Sequence, residues 1–172
     1  MRTEAKYREG LKELINEMPL SEINVVSLCK HVGSNRQTFY YHYRDISDVI
    51  ENIFLKEKIG NPRKLTDYES VIRATLTYIN ENYRFMYEVA SSYASDKISD
   101  FLYSYFYKNM VSIYYLKRNH TGIIRYISII SSKEIHFWIT TRRKEKPASL
   151  IHRLVVLWNY LYERYEGELK KK

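Results

Sequence analysis

Apolar residues recur at intervals of three and four along almost the whole chain, the spacing that places side chains on one face of an α-helix. Only five glycines and three prolines interrupt this pattern in 172 residues. No segment alternates apolar and polar residues as a half-buried β-strand does. The sequence therefore predicts an all-α protein, and its 45% of hydrophobic residues can form a core that folds by itself.

Capping and helix-breaking residues divide the pattern into nine predicted helices. Asn24, Asn35 and Asp45 are predicted N-caps, the stretch Thr66-Asp67-Tyr68-Glu69 predicts a capping box, and Gly33 is a predicted stop. The predicted ranges are about 3–16, 25–32, two turns after Asn35, a fourth helix from Asp45 to before Gly60, and then about 66–82, 83–90, 96–117, 121–141 and 147–166. Gly167 marks the last predicted end, followed by a frayed Lys170–Lys172 tail.

The net charge of +8 is unevenly distributed. Residues 1–58 contain nine Lys or Arg and nine Asp or Glu, so the whole excess lies in residues 59–172. Between Ile23 and Arg44, however, there is no acidic residue, whereas Lys30, Arg36 and Arg44 are basic. Such local segregation predicts a phosphate-binding surface, and a chance gap between acids is the alternative.

Two short predicted helices separated by a turn at Gly33 form the pattern of a helix-turn-helix, whose second helix enters the major groove of DNA. At about 100° per residue, Phe39 and Tyr43 lie at about 300° and 340° from Arg36, in line with Ile46 beyond the helix end. These three side chains are predicted to point into the core.

The opposite arc of this second helix is predicted to face outward. Exposed tyrosine rings gain little in water unless they meet a partner. Tyrosine hydroxyls can donate to phosphate, glutamine can bond adenine, and arginine can bond guanine. The pattern therefore predicts contacts with double-stranded DNA through Arg36, Gln37, Tyr40 and Tyr41, flanked by Thr38 and His42.

The segment NVVSLCKHVGSNRQTFYYHYRDISDVI, from Asn24 to Ile50, resembles the DNA-binding segment of the TetR family of transcriptional regulators. The matching positions are Gly33, Arg36, Thr38-Phe39-Tyr40 and His42-Tyr43. The resemblance implies about nine helices, with a three-helix DNA-binding domain at residues 1–46 and a larger ligand-binding and dimerisation domain at residues 47–172. It also implies a homodimeric repressor that binds an inverted-repeat operator and is released by a small molecule. A cytoplasmic location is expected because neither a membrane span nor a signal peptide is readable in the sequence. Family residues that contact bases and phosphates correspond to Gln37, Tyr40, Tyr41 and His42, and one that often contacts the DNA backbone corresponds to Thr38.

Three residues depart from the family pattern. Ser34 stands where the turn usually has valine, which predicts looser packing, and Asn35 replaces the usual serine cap. Ile46 replaces a lysine that often contacts phosphate, which predicts a lost DNA contact. The alternative function is therefore a co-activator, or a regulator that binds a partner protein and has a weakened DNA-binding surface.

The last two predicted helices are apolar on more than one face. A helix that is apolar on two faces can bury one face in the core of its own subunit and the other against a second chain. A symmetric homodimer through a four-helix interface is predicted, and burial in a single thick core is the alternative. The predicted interface residues are Ile127, Ser131, Ile135, Leu154, Trp158 and Leu161. The stretch FWITTRRKEKPASLIHRL also resembles the C-terminal corner of regulators allied to dihydroxyacetone kinase control.

Tyrosines are abundant between Tyr68 and Tyr126. With neighbouring apolar side chains they can line an aromatic pocket that offers hydroxyl groups to a ligand. The predicted lining residues are Tyr83, Tyr87, Phe101, Tyr105 and Met110. A tyrosine-rich core whose hydroxyls reach the surface is the alternative.

Other functions find little support in the sequence. No run of 18 apolar residues predicts a membrane span, and no leader predicts secretion. His120, His136 and His152 recur every 16 residues, which turns a helix by about 160° beyond whole turns, so they do not share a face as metal ligands would. Cys29 is predicted to be a core residue, no glycine-rich phosphate loop or zinc-protease motif occurs, and neither catalysis nor a cofactor is expected.

Overall fold

The computed structural model describes residues 3–114 and 121–169, with side chains described up to Gly167. Every regular element in these ranges is helical, which confirms the all-α prediction. Two short 3₁₀ turns, at Leu20–Glu22 and Pro62–Lys64, accompany the α-helices. The α-helices of the described residues are α1 (Thr3–Glu17), α2 (Val25–His31), α3 (Arg36–His42), α4 (Ile46–Lys56), α5 (Tyr68–Glu81), α6 (Tyr83–Ala90), α7 (Ser95–Tyr114), α8 (Thr121–Thr140) and α9 (Pro147–Leu169).

Several helix ends differ from the prediction: α4 ends at Lys56, before the predicted stop at Gly60, and the start of α5 and the end of α9 are also displaced. The box that opens α5 is one residue later than predicted: the Asp67 carboxylate accepts from the Ser70 N–H at 2.8 Å, while the Ser70 hydroxyl accepts from the Asp67 N–H at 3.1 Å. Helix α9 continues through Gly167 to Leu169. The predicted end of α7 at residue 117 and the predicted frayed tail at residues 170–172 lie outside the described residues.

The chain divides into two compact units. The first contains residues 1–58 and 82–101, and the second contains residues 59–81 and 102–172. The functional boundary predicted at residue 46 lies within the first unit and stays a prediction.

In the first unit, α1 is the central helix and packs against α2, α4 and α6. Its apolar side chains Tyr7, Leu11, Leu14 and Ile15 recur with the spacing of one helical face, and all four are buried. Where α1 meets α2, glycine is required: a Cβ atom on Gly10 would lie 2.2 Å from the nearest Val32 methyl. The close approach of these two helices holds the helix-turn-helix against α1.

Helix α6 fixes the chain where α1 ends. The Arg84 Nε donates to the Ile15 carbonyl at 3.1 Å, and the Glu88 carboxylate accepts from the Leu20 N–H at 3.0 Å. Helix ends leave such backbone groups without partners in their own helix, so both side chains act as caps supplied from a distant part of the sequence.

The core of the second unit is formed by α5, α8, α9 and the last part of α7. The Tyr68 hydroxyl hydrogen-bonds the Ser131 hydroxyl at 2.7 Å, and its ring lies 5.6 Å from that of Trp158. Burial raises the pKa of Tyr68 well above its ordinary value. Ser128 and Ser131 are buried but donate to carbonyls one turn earlier, at 2.7 and 2.6 Å, so their polar groups are satisfied inside the core.

A corner held by hydrogen bonds joins α8 to α9. Arg142 and Arg143 both adopt left-handed backbone conformations, with φ of 57° and 56°, and the Arg143 N–H donates to the Trp138 carbonyl at 2.9 Å. The buried Trp138 indole donates to the Glu145 carbonyl at 2.8 Å. Arg153 of α9 bonds Glu134 and Glu145, so the corner is tied to both helices.

Candidate nucleic-acid interface

Helix α2 begins at a complete capping box. The Asn24 side chain accepts from the N–H groups of Val26 and Ser27, each at 3.0 Å, and the Ser27 hydroxyl accepts from the Asn24 N–H at 3.0 Å. The cap predicted at Asn24 is confirmed. Because these donors are bonded inside the chain, they are not left free to bind a phosphate.

The turn after α2 is held by hydrogen bonds. Gly33 has a φ of +62°, a left-handed conformation that favours glycine, and the Ser34 N–H donates to the Cys29 carbonyl at 2.8 Å. The Ser34 hydroxyl pairs with the Tyr7 hydroxyl of α1 at 2.7 Å. The hydrogen bond ties the turn to α1 at the position where looser packing was predicted, and the looser packing itself stays a prediction.

Helix α3 directs its rings as the helical geometry predicted. Asn35 caps the helix by accepting from the Thr38 N–H at 2.8 Å. Phe39 is 0% exposed and its ring meets that of Tyr7 edge-on at 5.3 Å. Tyr43 and Ile46 are buried as well, so the core assignments of these three side chains are confirmed.

The opposite arc of α3 faces outward. Arg36 and Gln37 are exposed, and the Tyr40 and Tyr41 side chains are 59% and 85% exposed. Among the residues that the structure describes, the polar groups of these four side chains have no hydrogen-bond partner. Thr38 and His42 are half-buried at the flanks. The structure therefore presents four unused hydrogen-bonding groups on one short helix.

The basic residues near α3 differ in how far they are neutralised. Arg44 makes two hydrogen bonds to the Asp48 carboxylate, at 2.8 and 2.6 Å, which lower the pKa of Asp48 to about 2. Lys30 and Arg36 form no ion pair with any described residue. The uncompensated positive charge of this surface is thus centred on Lys30 and Arg36.

Both histidines of the acid-free segment lie beside glutamates of α1. His31 Nε2 is 2.8 Å from a Glu13 oxygen, and His42 Nδ1 is 3.9 Å from a Glu4 oxygen. Any positive charge on either ring is therefore partly compensated within the chain, which leaves Lys30 and Arg36 as the main basic groups of the surface.

Two adjoining depressions lie between α2 and α3. One, of about 550 Å³, is lined by Asn24, Val25, Val26, Ser27, Arg36 and Tyr40. The other, of about 430 Å³, is lined by Val26, Cys29, Lys30, Ser34, Asn35 and Arg36. Val26 borders both and is 55% exposed. Val26 was not among the predicted site residues. The available signal was the helical spacing of Val25, Leu28, Cys29 and Val32, which share one apolar face of α2 and leave Val26 off it.

The residues predicted to line a ligand pocket occupy both compact units. In the first unit, Tyr83 and Tyr87 lie with ring centroids 5.9 Å apart, and Phe101 stacks on Phe54 at 4.5 Å. In the second, the Tyr105 hydroxyl donates to the Ile59 carbonyl at 3.2 Å and Met110 is fully buried. Burial raises the pKa of Tyr105 to about 12. The pocket itself stays a prediction.

Most residues predicted to form the dimer interface are core residues of the single chain. Ile127, Ser131, Ile135, Leu154 and Trp158 are all buried within the second unit, and Leu161 is half-buried. Side chains buried in this way have little surface left to offer another chain. The accessible apolar side chains of α8 and α9 are instead Tyr126, Ile129, Phe137, Val156 and Tyr160.

The described residues show neither a membrane-spanning helix nor a metal-ligand cluster. No described helix is long and apolar enough to cross a membrane. No three His, Cys, Asp or Glu side chains in the described ranges are grouped so that they could hold a metal ion. His120, one of the three regularly spaced histidines, lies outside those ranges.

Comparisons with known proteins identify the fold. No family model and no curated protein matches the sequence. Among solved structures, the dihydroxyacetone kinase operon activator DhaS is similar over 93% of this chain and 96% of its own, at 15% identity and a TM-score of 0.63.

Two further solved structures are similar over most of their length. NalD, the secondary repressor of the MexAB-OprM multidrug efflux pump in Pseudomonas aeruginosa, is similar over 92% of this chain and 95% of its own, with 14% identity and a TM-score of 0.59. A putative TetR-family transcriptional regulator from Syntrophomonas wolfei is similar over 92% of this chain and 93% of its own, with 16% identity and a TM-score of 0.56. The chain has the fold of TetR-family transcriptional regulators.

Proposed function

We propose that this protein is a sequence-specific DNA-binding transcriptional regulator, which acts as a homodimer on an inverted repeat and represses until a small molecule releases it. The observation that carries the proposal is the outward face of α3. Arg36, Gln37, Tyr40 and Tyr41 offer polar groups that have no hydrogen-bond partner in the described part of the chain, on a segment free of acids. Arg and Gln can bond base edges and tyrosine hydroxyls can bond phosphates.

The core beneath this face supports the same role. Phe39 is packed against Tyr7, and the turn before α3 is bonded to α1 through Ser34. A recognition helix must hold its side chains in a fixed geometry for them to distinguish bases. The packing of α3 supplies that rigidity from its buried side.

The homodimer is proposed to form through the accessible face of α8 and α9. The exposed apolar residues of α8 recur with helical spacing along one stripe, as do those of α9. A depression of about 600 Å³ continues this face and is lined by Gly122, Ile123, Tyr126, Ile130, Tyr160, Leu161, Arg164 and Tyr165. A two-fold axis through such a face would pair the four helices of two subunits.

Release by a ligand is proposed as a shift between two states of this dimer. In one state the recognition helices are spaced for the operator, and in the other they are not. A ligand that binds the second state more tightly would lower the affinity for DNA, and the size of the effect is set by the difference between its affinities for the two states. DhaS is by name an activator and NalD a repressor, so a reporter gene with basal expression should be used, since it registers either direction.

Selection from a pool of random duplexes tests the proposal. The purified full-length protein should enrich an inverted repeat whose half-sites lie about one DNA turn apart or slightly more. Its affinity should fall steeply as salt rises, because bound phosphates release counterions. Failure to enrich any sequence would contradict DNA recognition, whereas enrichment of a single asymmetric half-site would contradict only the symmetric dimer.

A partner-protein role is the second candidate, and two observations favour it. Arg44 is held by Asp48, and Ile46 is buried, so neither the end of α3 nor the start of α4 offers a free cation to phosphate. A regulator with this surface could act by binding another protein. Co-purification of a stoichiometric partner, together with no enrichment of DNA, would favour this candidate over the first.

A further inference from the structure

The side chain of Val26 is the accessible apolar group at the junction of the two depressions between α2 and α3. It is 55% exposed, and it lines both depressions together with Arg36. A single exposed valine is ordinary on a protein surface. Its position is not, because it lines one depression together with Arg36, which has no ion pair among the described residues, and Tyr40.

At the start of α2, the polar groups next to Val26 are bonded within the capping box, so Val26 is the apolar group there that can contact a base edge. The Val26 and Ser27 N–H groups are bonded to Asn24, and the Ser27 hydroxyl donates to the Asn24 carbonyl at 2.9 Å. The start of α2 therefore has little hydrogen-bonding capacity left for DNA. The accessible apolar group at this corner is the Val26 side chain, and Arg36 lines the same two depressions.

We propose that Val26 is a specificity-determining residue that contacts the C5-methyl group of a thymine in the major groove, next to the base that Arg36 contacts. The inference rests on the proposed DNA-binding function. Among the groups that base edges expose in the major groove, the thymine methyl is the apolar one. Burying a methyl group against Val26 removes apolar surface from water on both sides, which favours thymine over cytosine at that position.

Replacing thymine by deoxyuridine, which lacks the methyl group, tests this contact without changing the protein. Each thymine of the selected operator is replaced in turn, symmetrically in both half-sites, and the wild-type affinity is measured. At one position the substitution should weaken binding about fourfold per half-site, the factor expected for one buried methyl group. At that position Val26→Ala should bind the thymine and deoxyuridine operators with nearly equal affinity.

Two further variants make the result specific to Val26. Leu55→Ala removes an accessible apolar side chain on α4, 73% exposed, and should keep the wild-type preference for thymine. Val26→Thr retains the shape of the side chain but exchanges one methyl for a hydroxyl, and should keep only part of the preference. Thermal melting of each variant checks that it is folded.

The outcomes separate this inference from the proposed function. If an inverted repeat is selected but no thymine shows a methyl effect, or if Val26→Ala keeps the full preference, the assignment to Val26 is overturned while DNA recognition stands. If no sequence is selected at all, both are overturned. A methyl effect that Val26→Ala abolishes and Leu55→Ala preserves supports the inference.

Discussion

Replacement of Phe39 by alanine should destabilise the first compact unit rather than alter its surface. The ring is 0% exposed and lies 5.3, 5.5 and 5.8 Å from the rings of Tyr7, Tyr40 and Tyr43. Removing a buried phenylalanine costs about 3–5 kcal/mol, and the loss of three ring contacts favours the upper part of that range. A loss of about 4 kcal/mol is a large fraction of the stability of a typical small domain, which is about 5–15 kcal/mol.

Urea denaturation followed by circular dichroism measures this loss. With an m-value of about 2 kcal/mol/M, the midpoint should fall by about 2 M urea. Tyr41→Ala is the matched control, because its ring belongs to the same helix but is 85% exposed, and its free energy of unfolding should change by less than about 0.5 kcal/mol. A Phe39→Ala midpoint within about 0.5 M of wild type would refute the assignment of this ring to the core.

Three further predictions concern packing, pH and assembly. Gly10→Ala should lower the melting temperature markedly, because the new Cβ would lie 2.2 Å from a Val32 methyl unless α1 and α2 separate. The pKa of Asp48 is about 2 in the folded chain, below its ordinary value of 3.8. The ion pair of Asp48 with Arg44 therefore stabilises the fold above about pH 4, and this stabilisation is lost as the pH falls through about 2. In Asp48→Asn the urea midpoint should accordingly fall less between pH 4 and pH 2 than it does in wild type. Light scattering should show a wild-type dimer at micromolar concentration, which Val156→Glu converts to a monomer and Leu55→Glu does not; a wild-type monomer would contradict the proposed interface.

Local patterns predicted the helices well because each depends on neighbouring residues. The bounds of α6, Tyr83–Ala90, were predicted to the residue, and the buried and exposed rings of α3 followed from about 100° per residue. Both depend on backbone geometry and on contrast between apolar and polar positions. The same contrast makes Phe39 and Tyr43 core residues and leaves Tyr40 and Tyr41 outside.

Contacts between residues far apart in the chain could not be predicted from local sequence patterns. Both faces of α8 and α9 are apolar, so periodicity did not show that Ile127 and Trp158 face the core and Tyr126 and Val156 the surface. The bond from Ser34 to Tyr7 joins residues 27 positions apart, and no local pattern predicts it. Gly167 did not end α9, since a glycine inside a helix costs only about 1 kcal/mol.

Titration of two α3 variants on the selected operator and on a scrambled duplex tests the central claim most directly. Tyr40→Phe removes a hydroxyl that we expect to bind phosphate. The variant should therefore bind the operator and the scrambled duplex more weakly than wild type by a similar factor. Gln37→Ala should reduce the free energy of binding to the operator by about 1–3 kcal/mol, the usual value of a good base contact. Its affinity for the scrambled duplex should be nearly unchanged. If both folded variants bind both duplexes as wild type does, the outward face of α3 is not a DNA-binding surface and the account is contradicted.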